Sequence, residues 1–215
     1  MERENYCTLY IVRHGQTEWN AEKRTMGHSD SPLTELGVQQ ADFAAEELKA
    51  INFDAVFSSD SGRTQRTAEI IKLDRELIIQ TSALLRERNF GSYEGKLGSE
   101  FREAVKHKLE EREKLSEDDQ WSFKLADDVE TDGELVERFI TKVREIAVAY
   151  PGKTVLVVSH GGCIRNFLVK LGYARREDLP AGSFGNGGYI KVKSDGVDFI
   201  LGEVKNPKLK DITAQ

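Results

Sequence analysis

Cys7-Thr8-Leu9-Tyr10-Ile11-Val12, running into Arg13-His14-Gly15, decides the fold of this chain. Its first six residues are β-rich and apolar, which predicts a buried strand. The run stops abruptly at an arginine, a histidine and a glycine. Two later stretches follow the same pattern. Asp54-Ala55-Val56-Phe57-Ser58 predicts a second strand and leads into Ser59-Asp60-Ser61, which supplies N-cap candidates for a helix through Arg63, Thr67, Ala68 and Ile71. Val155-Leu156-Val157-Val158 is the most continuous apolar strand and ends in Ser159-His160-Gly161-Gly162.

Helical patterns separate these strands. Thr34 can cap a helix carrying Leu36, Phe43, Ala44, Leu48 and Ile51. Thr131 and Glu134 form a capping-box pattern before a helix that buries Leu135, Phe139, Val143, Ile146 and Ala147. A further helix is expected from about Ile164 to Leu171. Leu77-Ile78-Ile79 reads as a third strand and residues 86–95 as a loop. Tyr189 to Val192 and Val197 to Leu201 flank Ser194-Asp195-Gly196 as a hairpin. Residues 98–126 are heavily charged, with a thin apolar stripe of Phe101, Val105, Leu109 and Leu115, and Glu110 placed to pair with Lys114. The tail after Asn206-Pro207 reads as irregular. Strands alternating with helices predict an α/β three-layer sandwich, its central sheet mostly parallel but mixed by the final hairpin. One domain over residues 1–215 is expected, with a helical cap insertion at 96–130. In such sheets ligands bind at the carboxyl ends of the strands, where His14, Arg63 and His160 all fall.

Composition narrows the function. The chain has 215 residues, 39% hydrophobic and 32% charged, enough for a real core. The formal net charge of −6, with both signs interspersed, argues against a nucleic-acid binder. No stretch approaches the ~20 apolar residues of a membrane span, and the charged first residues lack a secretory pattern. Two widely spaced cysteines, Cys7 and Cys163, fit buried thiols in a reducing, cytoplasmic compartment. The histidines and cysteines show no zinc-type spacing, and no nucleotide-binding glycine motif is present, so no metal or cofactor is expected.

A lone histidine is more often structural than catalytic. His14 stands out because it sits beside Arg13, at a strand end, before a glycine that permits close backbone approach. A neutral imidazole is a competent nucleophile toward phosphorus, and neighbouring cations keep the ring neutral. Arginine suits phosphoryl oxygens because its planar fork can grip two of them. Arg13 and Arg63 are candidates, although Arg63 could equally be a surface residue. His160 could donate to a phosphoryl oxygen or fill a polar site in the core. His107 reads as surface.

Arg13-His14-Gly15-Gln16-Thr17-Glu18-Trp19-Asn20 resembles the signature of the histidine phosphatase superfamily, the phosphoglycerate mutase-like proteins. Further blocks follow in order: Asp30-Ser31-Pro32-Leu33-Thr34, Ser58-Ser59-Asp60 with Arg63, Leu85-Arg86-Glu87, and Val158-Ser159-His160-Gly161-Gly162. The resemblance spans residues 9 to about 172. It implies a phosphoglycerate mutase-like fold with His14 as the nucleophile that is transiently phosphorylated. It further implies a phosphate pocket of Arg13, Asn20, Arg63, His160 and Gly161, and Glu87 as general acid and then base. Composition does not single out Glu87; only the motif does. Its role calls for a carboxyl kept protonated by burial or by neighbouring negative charge.

The family holds phosphatases and mutases. Glu87-Arg88-Asn89-Phe90-Gly91 resembles the phosphatase branch, and residues 98–132 lack the arginine pair and proline-rich segment that mutases use. The expectation is therefore a metal-independent phosphatase acting on a small phosphorylated metabolite, as a monomer or homodimer. A cofactor-dependent phosphoglycerate mutase is the alternative, and a non-enzymatic binding module a third reading. Met26 departs from the family pattern, in which a glutamine often precedes the glycine at Gly27.

Overall fold

Both faces of β1 (Cys7–Arg13) are covered, as its apolar run requires. Leu9 and Ile11 point to one side of the sheet and Tyr10 and Val12 to the other. The computed structural model describes residues 5–206; the irregular tail expected after Asn206 lies outside them. After β1 come α1 (Glu18–Ala21), α2 (Glu35–Glu47), β2 (Ala55–Ser59), α3 (Gly62–Lys72) and β3 (Ile79–Ser82). Three short helices follow, α4 (Gly98–Ala104), α5 (Lys106–Arg112) and α6 (Glu117–Ser122). The long α7 (Asp132–Ala149), then β4 (Thr154–Ser159), α8 (Gly161–Lys170), β5 (Tyr189–Ser194) and β6 (Phe199–Lys205) complete the order.

Among the described residues six strands form one sheet in the order β3-β2-β4-β1-β5-β6. β3, β2, β4 and β1 are parallel to one another, and the β5–β6 hairpin adds an antiparallel edge. On one face Leu9, Ile11, Val155 and Val157 pack against Phe139, Val143 and Ile146 of α7 and Ile164 and Phe167 of α8. On the other, Tyr10, Val12, Leu156 and Val158 meet Ala44, Leu48, Ala68 and Ile71 from the α2–α3 layer. Each buried Val, Leu, Ile or Phe among them contributes roughly 1.5–3 kcal/mol on burial. The expected α/β sandwich with a mixed, mostly parallel sheet is therefore the observed fold. Among the described residues no helix is long and apolar enough to cross a membrane.

Register places the functional end. Arg13 pairs with Ser159, so β1 and β4 finish side by side, and the His14 N–H donates to the Ser159 carbonyl at 3.1 Å. Thr34 caps α2 by accepting from the Gly37 N–H, and Thr131 and Glu134 exchange both capping-box hydrogen bonds at the start of α7.

Several local expectations are corrected. Leu36 and Phe43 are exposed, because α2 faces the sheet with Gly37, Ala41, Ala44 and Ala45, small residues that allow close approach. The third strand begins at Ile79 and not at Leu77, since pairing with β2 starts at Val56↔Ile79 and leaves Ile78 in solvent. α8 starts at Gly161 rather than near Ile164. The loop over 86–95 contains a 3-10 turn at Gly91–Tyr93. Glu110 and Lys114 do not share a helix, because α5 ends at Arg112; Glu111 instead pairs with His107 and Lys108. Cys7 and Cys163 are buried free thiols. His107 is exposed, as expected.

Candidate active site

The ends of β1, β2 and β4 deliver His14, Arg63 and His160 to one place. His14 is buried at 3% exposure, His160 at 0% and Arg63 at 1%, so Arg63 is no surface arginine. The two imidazole rings meet edge to face with centroids 5.2 Å apart.

Their partners assign the protons. His14 Nδ1 lies 2.7 Å from the Gly15 carbonyl, which can only accept, so Nδ1 carries the proton and Nε2 keeps its lone pair. Arg63 donates from Nη2 to His160 Nδ1 at 3.2 Å, and a guanidinium can only donate. His160 therefore holds its proton on Nε2, a buried donor with no partner among the described residues. Burial above all, then the charges of Arg63 and Arg13, holds the His14 pKa well below its usual 6.5. Burial, Arg63, His14, Arg138 and Arg13 do the same for His160. Both rings are neutral at physiological pH.

Arg63 is held from the side by residues on the loop before α2. Its Nη1 donates to Asp30 and to the Ser29 carbonyl at 2.8 Å, and its Nη2 to the Gly27 carbonyl at 2.7 Å. Arg13 donates from Nη1 to the Phe184 carbonyl. Burial lowers the Arg13 pKa to about 10, which leaves it charged at neutral pH. Nε of Arg13 and Nε of Arg63 are buried and, like His160 Nε2, have no partner among the described residues. Buried donors of this kind are rare, and three from residues gathered at one site make a cradle for an anion's oxygens.

Glycines shape the walls. A Cβ on Gly15 would overlap the Gly37 carbonyl, so the turn after His14 packs backbone to backbone. A Cβ on Gly161 would come within 3.0 Å of Arg13 Nε. A Cβ on Gly162 would overlap the Glu87 carboxylate, to which the Gly162 N–H donates at 2.9 Å. The Arg88 N–H donates to the other Glu87 oxygen at 2.9 Å. Glu87 is half-buried and faces Arg13, Arg88 and Arg138. The neighbouring negative charge expected around it is thus replaced by cations in the protein itself.

Asn20 completes the α1 capping box, its Oδ1 accepting from the Thr17 N–H at 3.3 Å. It reaches the site through Asn186, whose side chain donates to the His14 carbonyl at 3.0 Å and to Asn20 Oδ1 at 3.4 Å. Met26 is buried, and its Sδ accepts from the Thr17 hydroxyl at 3.7 Å.

Sequence reasoning missed Asn186 and Arg138. Arg138 on α7 donates to the carbonyls of Leu84, Arg86 and Glu87 at 3.0, 2.6 and 2.8 Å and forms an ion pair with Glu130. It ties down the main chain that carries Glu87. Neither residue lies in a local pattern that singles it out.

The profile of the histidine phosphatase superfamily (branch 1) matches residues 9–206. The chain is 35% identical over 181 residues to the probable phosphoglycerate mutase GpmB of Cronobacter sakazakii, covering 78% of each. It is 34% identical over 161 residues to the uncharacterized phosphatase PhoE of Bacillus subtilis, covering 75% of each. Among solved structures it superposes on Bacillus stearothermophilus YhfR with a TM-score of 0.79 at 29% identity, over 95% of this chain and 98% of that one.

Proposed function

This chain belongs to the histidine phosphatase superfamily, and from that premise we propose that it is a metal-independent phosphatase of small phosphomonoester metabolites. The observation that carries the reading is the pair of opposite tautomers. His14 offers the Nε2 lone pair, and His160, its ring centroid 5.2 Å away, offers an Nε2–H. A nucleophile and a donor to a phosphoryl oxygen are what in-line transfer from an ester needs.

In this mechanism His14 Nε2 attacks phosphorus and the ester P–O bond breaks. Arg13, Arg63 and His160 hold the equatorial oxygens, with the start of α8 at Gly161 and the signature loop at Asn20 alongside. Glu87 gives its proton to the leaving oxygen. Glu87 then takes a proton from water, whose oxygen attacks the phosphohistidine and releases inorganic phosphate. Two neutral imidazoles beside fixed guanidinium charges disfavour a further cation between them, which supports the metal-independent reading.

We take residues 96–130 as a cap on this site within a single domain. Phe101 of α4 packs edge to face on Phe90 and Tyr93, at centroid distances of 5.3 and 5.0 Å, in the loop that follows Glu87. Two buried free thiols support a reducing, cytoplasmic setting.

Trapping the intermediate tests the proposal. Rapid acid-free quenching with a labelled aryl phosphate in the presence of chelator should yield acid-labile phosphohistidine, and His14→Ala should yield none and lose turnover. Full turnover in His14→Ala would overturn the mechanism. Mutase names among the relatives favour a second reading. Efficient isomerisation of 3-phosphoglycerate with bisphosphoglycerate present, and little free phosphate, would select it.

A further inference from the structure

The segment 183–188, which leads into β5, touches three residues of the site. The Phe184 carbonyl accepts from Arg13, and the Gly187 N–H donates to the Arg13 carbonyl at 3.1 Å. Asn186, half-buried, donates from Nδ2 to the His14 carbonyl at 3.0 Å and to Asn20 Oδ1 at 3.4 Å. Asn206, just after β6, ties the segment down. Its Oδ1 accepts from the Gly185 N–H at 2.8 Å and its Nδ2 donates to the Ser183 carbonyl at 3.2 Å.

The partners fix which way both amides point. The Thr17 N–H can only donate, and it lies 3.3 Å from one terminal atom of the Asn20 amide, so that atom is the oxygen. The Asn186 atom that meets this oxygen must then be the nitrogen. The same nitrogen meets the His14 carbonyl, which can only accept, so the two assignments agree. An amide nitrogen carries two hydrogens, and Asn186 has one for each oxygen. Two donors occupy the Asn20 oxygen, so Asn20 keeps its NH2 end for a ligand.

The contact with His14 bears on the nucleophile. The His14 carbonyl and the Gly15 N–H belong to one peptide plane. Asn186 holds the oxygen of that plane, and the Thr67 hydroxyl accepts from its N–H at 3.2 Å. Gly15 follows directly, and its own carbonyl sets the His14 tautomer. A glycine turns more freely than any other residue, so holding the plane before it limits where that carbonyl can go.

We propose that Asn186 is a positioning residue for phosphoryl transfer: its one NH2 group holds the His14–Gly15 peptide and turns the Asn20 amide nitrogen toward the phosphoryl oxygens. This inference rests on the phosphatase reading and adds to it a residue that touches no substrate atom. A side chain that only braced the loop would need the shape of asparagine. Positioning needs its two hydrogens.

Asn186→Asp keeps the shape and replaces both hydrogens with acceptor lone pairs. The Asn20 amide should then turn over and face the phosphoryl group with its oxygen. The test is a double-mutant cycle with Asn20→Ala, scored by phosphate released from an aryl phosphate per folded protein. Asn20→Ala alone should lower kcat/KM by about tenfold. Asn186→Asp alone should lower it by about a hundredfold. In the double variant, removing the inverted amide should cost nothing further or restore part of the rate, whereas bracing alone predicts that the two losses multiply. Loss of the α1 capping box through Asn20→Ala occurs in both backgrounds and cancels from the comparison. If Asn186→Asp does not fold, Asn186→Ala carries the same cycle, with a smaller first loss and the same failure to multiply. Losses that multiply, or near wild-type activity in the folded Asn186 variant, would overturn the inference and leave the phosphatase reading standing. A wild-type protein that hydrolyses no phosphomonoester would overturn both.

Discussion

His14 and His160 stand with ring centroids 5.2 Å apart and hold their protons on opposite nitrogens. The Gly15 carbonyl sets one ring and the Arg63 guanidinium the other. A lone pair and an N–H are therefore offered by two adjacent rings that are both uncharged. That state depends on burial first and on neighbouring arginines second.

Neutral buried rings make stability depend on pH. In the unfolded chain each histidine titrates near 6.5, while in the native protein each titrates well below that value. Between the two values the unfolded state binds protons that the native state does not. Stability therefore rises with pH through this window and falls on acidification below 6.5, by at most about 1.4 kcal/mol per pH unit for each ring. Asp54, Asp60 and Glu94 have lowered pKa values, so their contributions are lost only at more acidic pH. Urea unfolding at intervals from pH 7.5 to 5 checks this. A flat midpoint over that range would contradict the neutral pair, and the acidic limb of kcat/KM should likewise lie below 6.5.

Glu87→Gln separates the two halves of its proposed role. With an alkyl phosphate, whose leaving oxygen needs a proton, turnover should fall by about 10²–10⁴-fold. With a nitrophenyl ester the first step should be nearly spared, giving a burst of nitrophenol followed by slow release of phosphate. Equal losses on both esters in the first step would count against Glu87 as the acid.

Gly162→Ala places a methyl group against the Glu87 carboxylate, the end of a flexible side chain, so the fold can accommodate it. The carboxylate must move and the Gly162 N–H contact is lost. A displacement of about 1 Å can cost ~10²-fold in rate. We expect kcat on alkyl phosphates to drop by that order with KM little changed and the thermal midpoint nearly intact. Unchanged kcat would show that Glu87 is not positioned through Gly162.

Arg138→Met removes the clamp on residues 84–87 and strands Glu130, which is 12% exposed, without its partner. Breaking a buried ion pair by removing one side costs about 3–5 kcal/mol. Denaturant midpoints should record the destabilisation. In the protein that remains folded, kcat on alkyl esters should fall more than kcat on aryl esters, as for a residue that positions Glu87. Arg138→Lys should recover part of the stability but less of the rate, since it cannot span several carbonyls at once.

Much of this was legible in the chain. Apolar runs such as Val155-Leu156-Val157-Val158 are local and need no partner to be recognised, and the Thr131–Glu134 capping box is a local reciprocal bond. Where expectations slipped, a distant element overrode the pattern. β3 took its first residue from pairing with β2, and α2 turned alanines, not Phe43, toward the core because close packing favoured small side chains. The candidate nucleophile and its arginines were marked by their places at strand ends, whereas Glu87 was marked only by its resemblance to a motif.

By itself the sequence determined the strands, most of the helices and the residue types available for phosphoryl transfer, since these follow from local periodicity and capping. Only the tertiary structure decided which nitrogen of His14 and of His160 carries the proton, which backbone groups hold Glu87, and that Asn186 reaches both His14 and Asn20. A tautomer, a buried charge and the direction of an amide are properties of partners brought together through space, and chain segments far apart in order supply those partners.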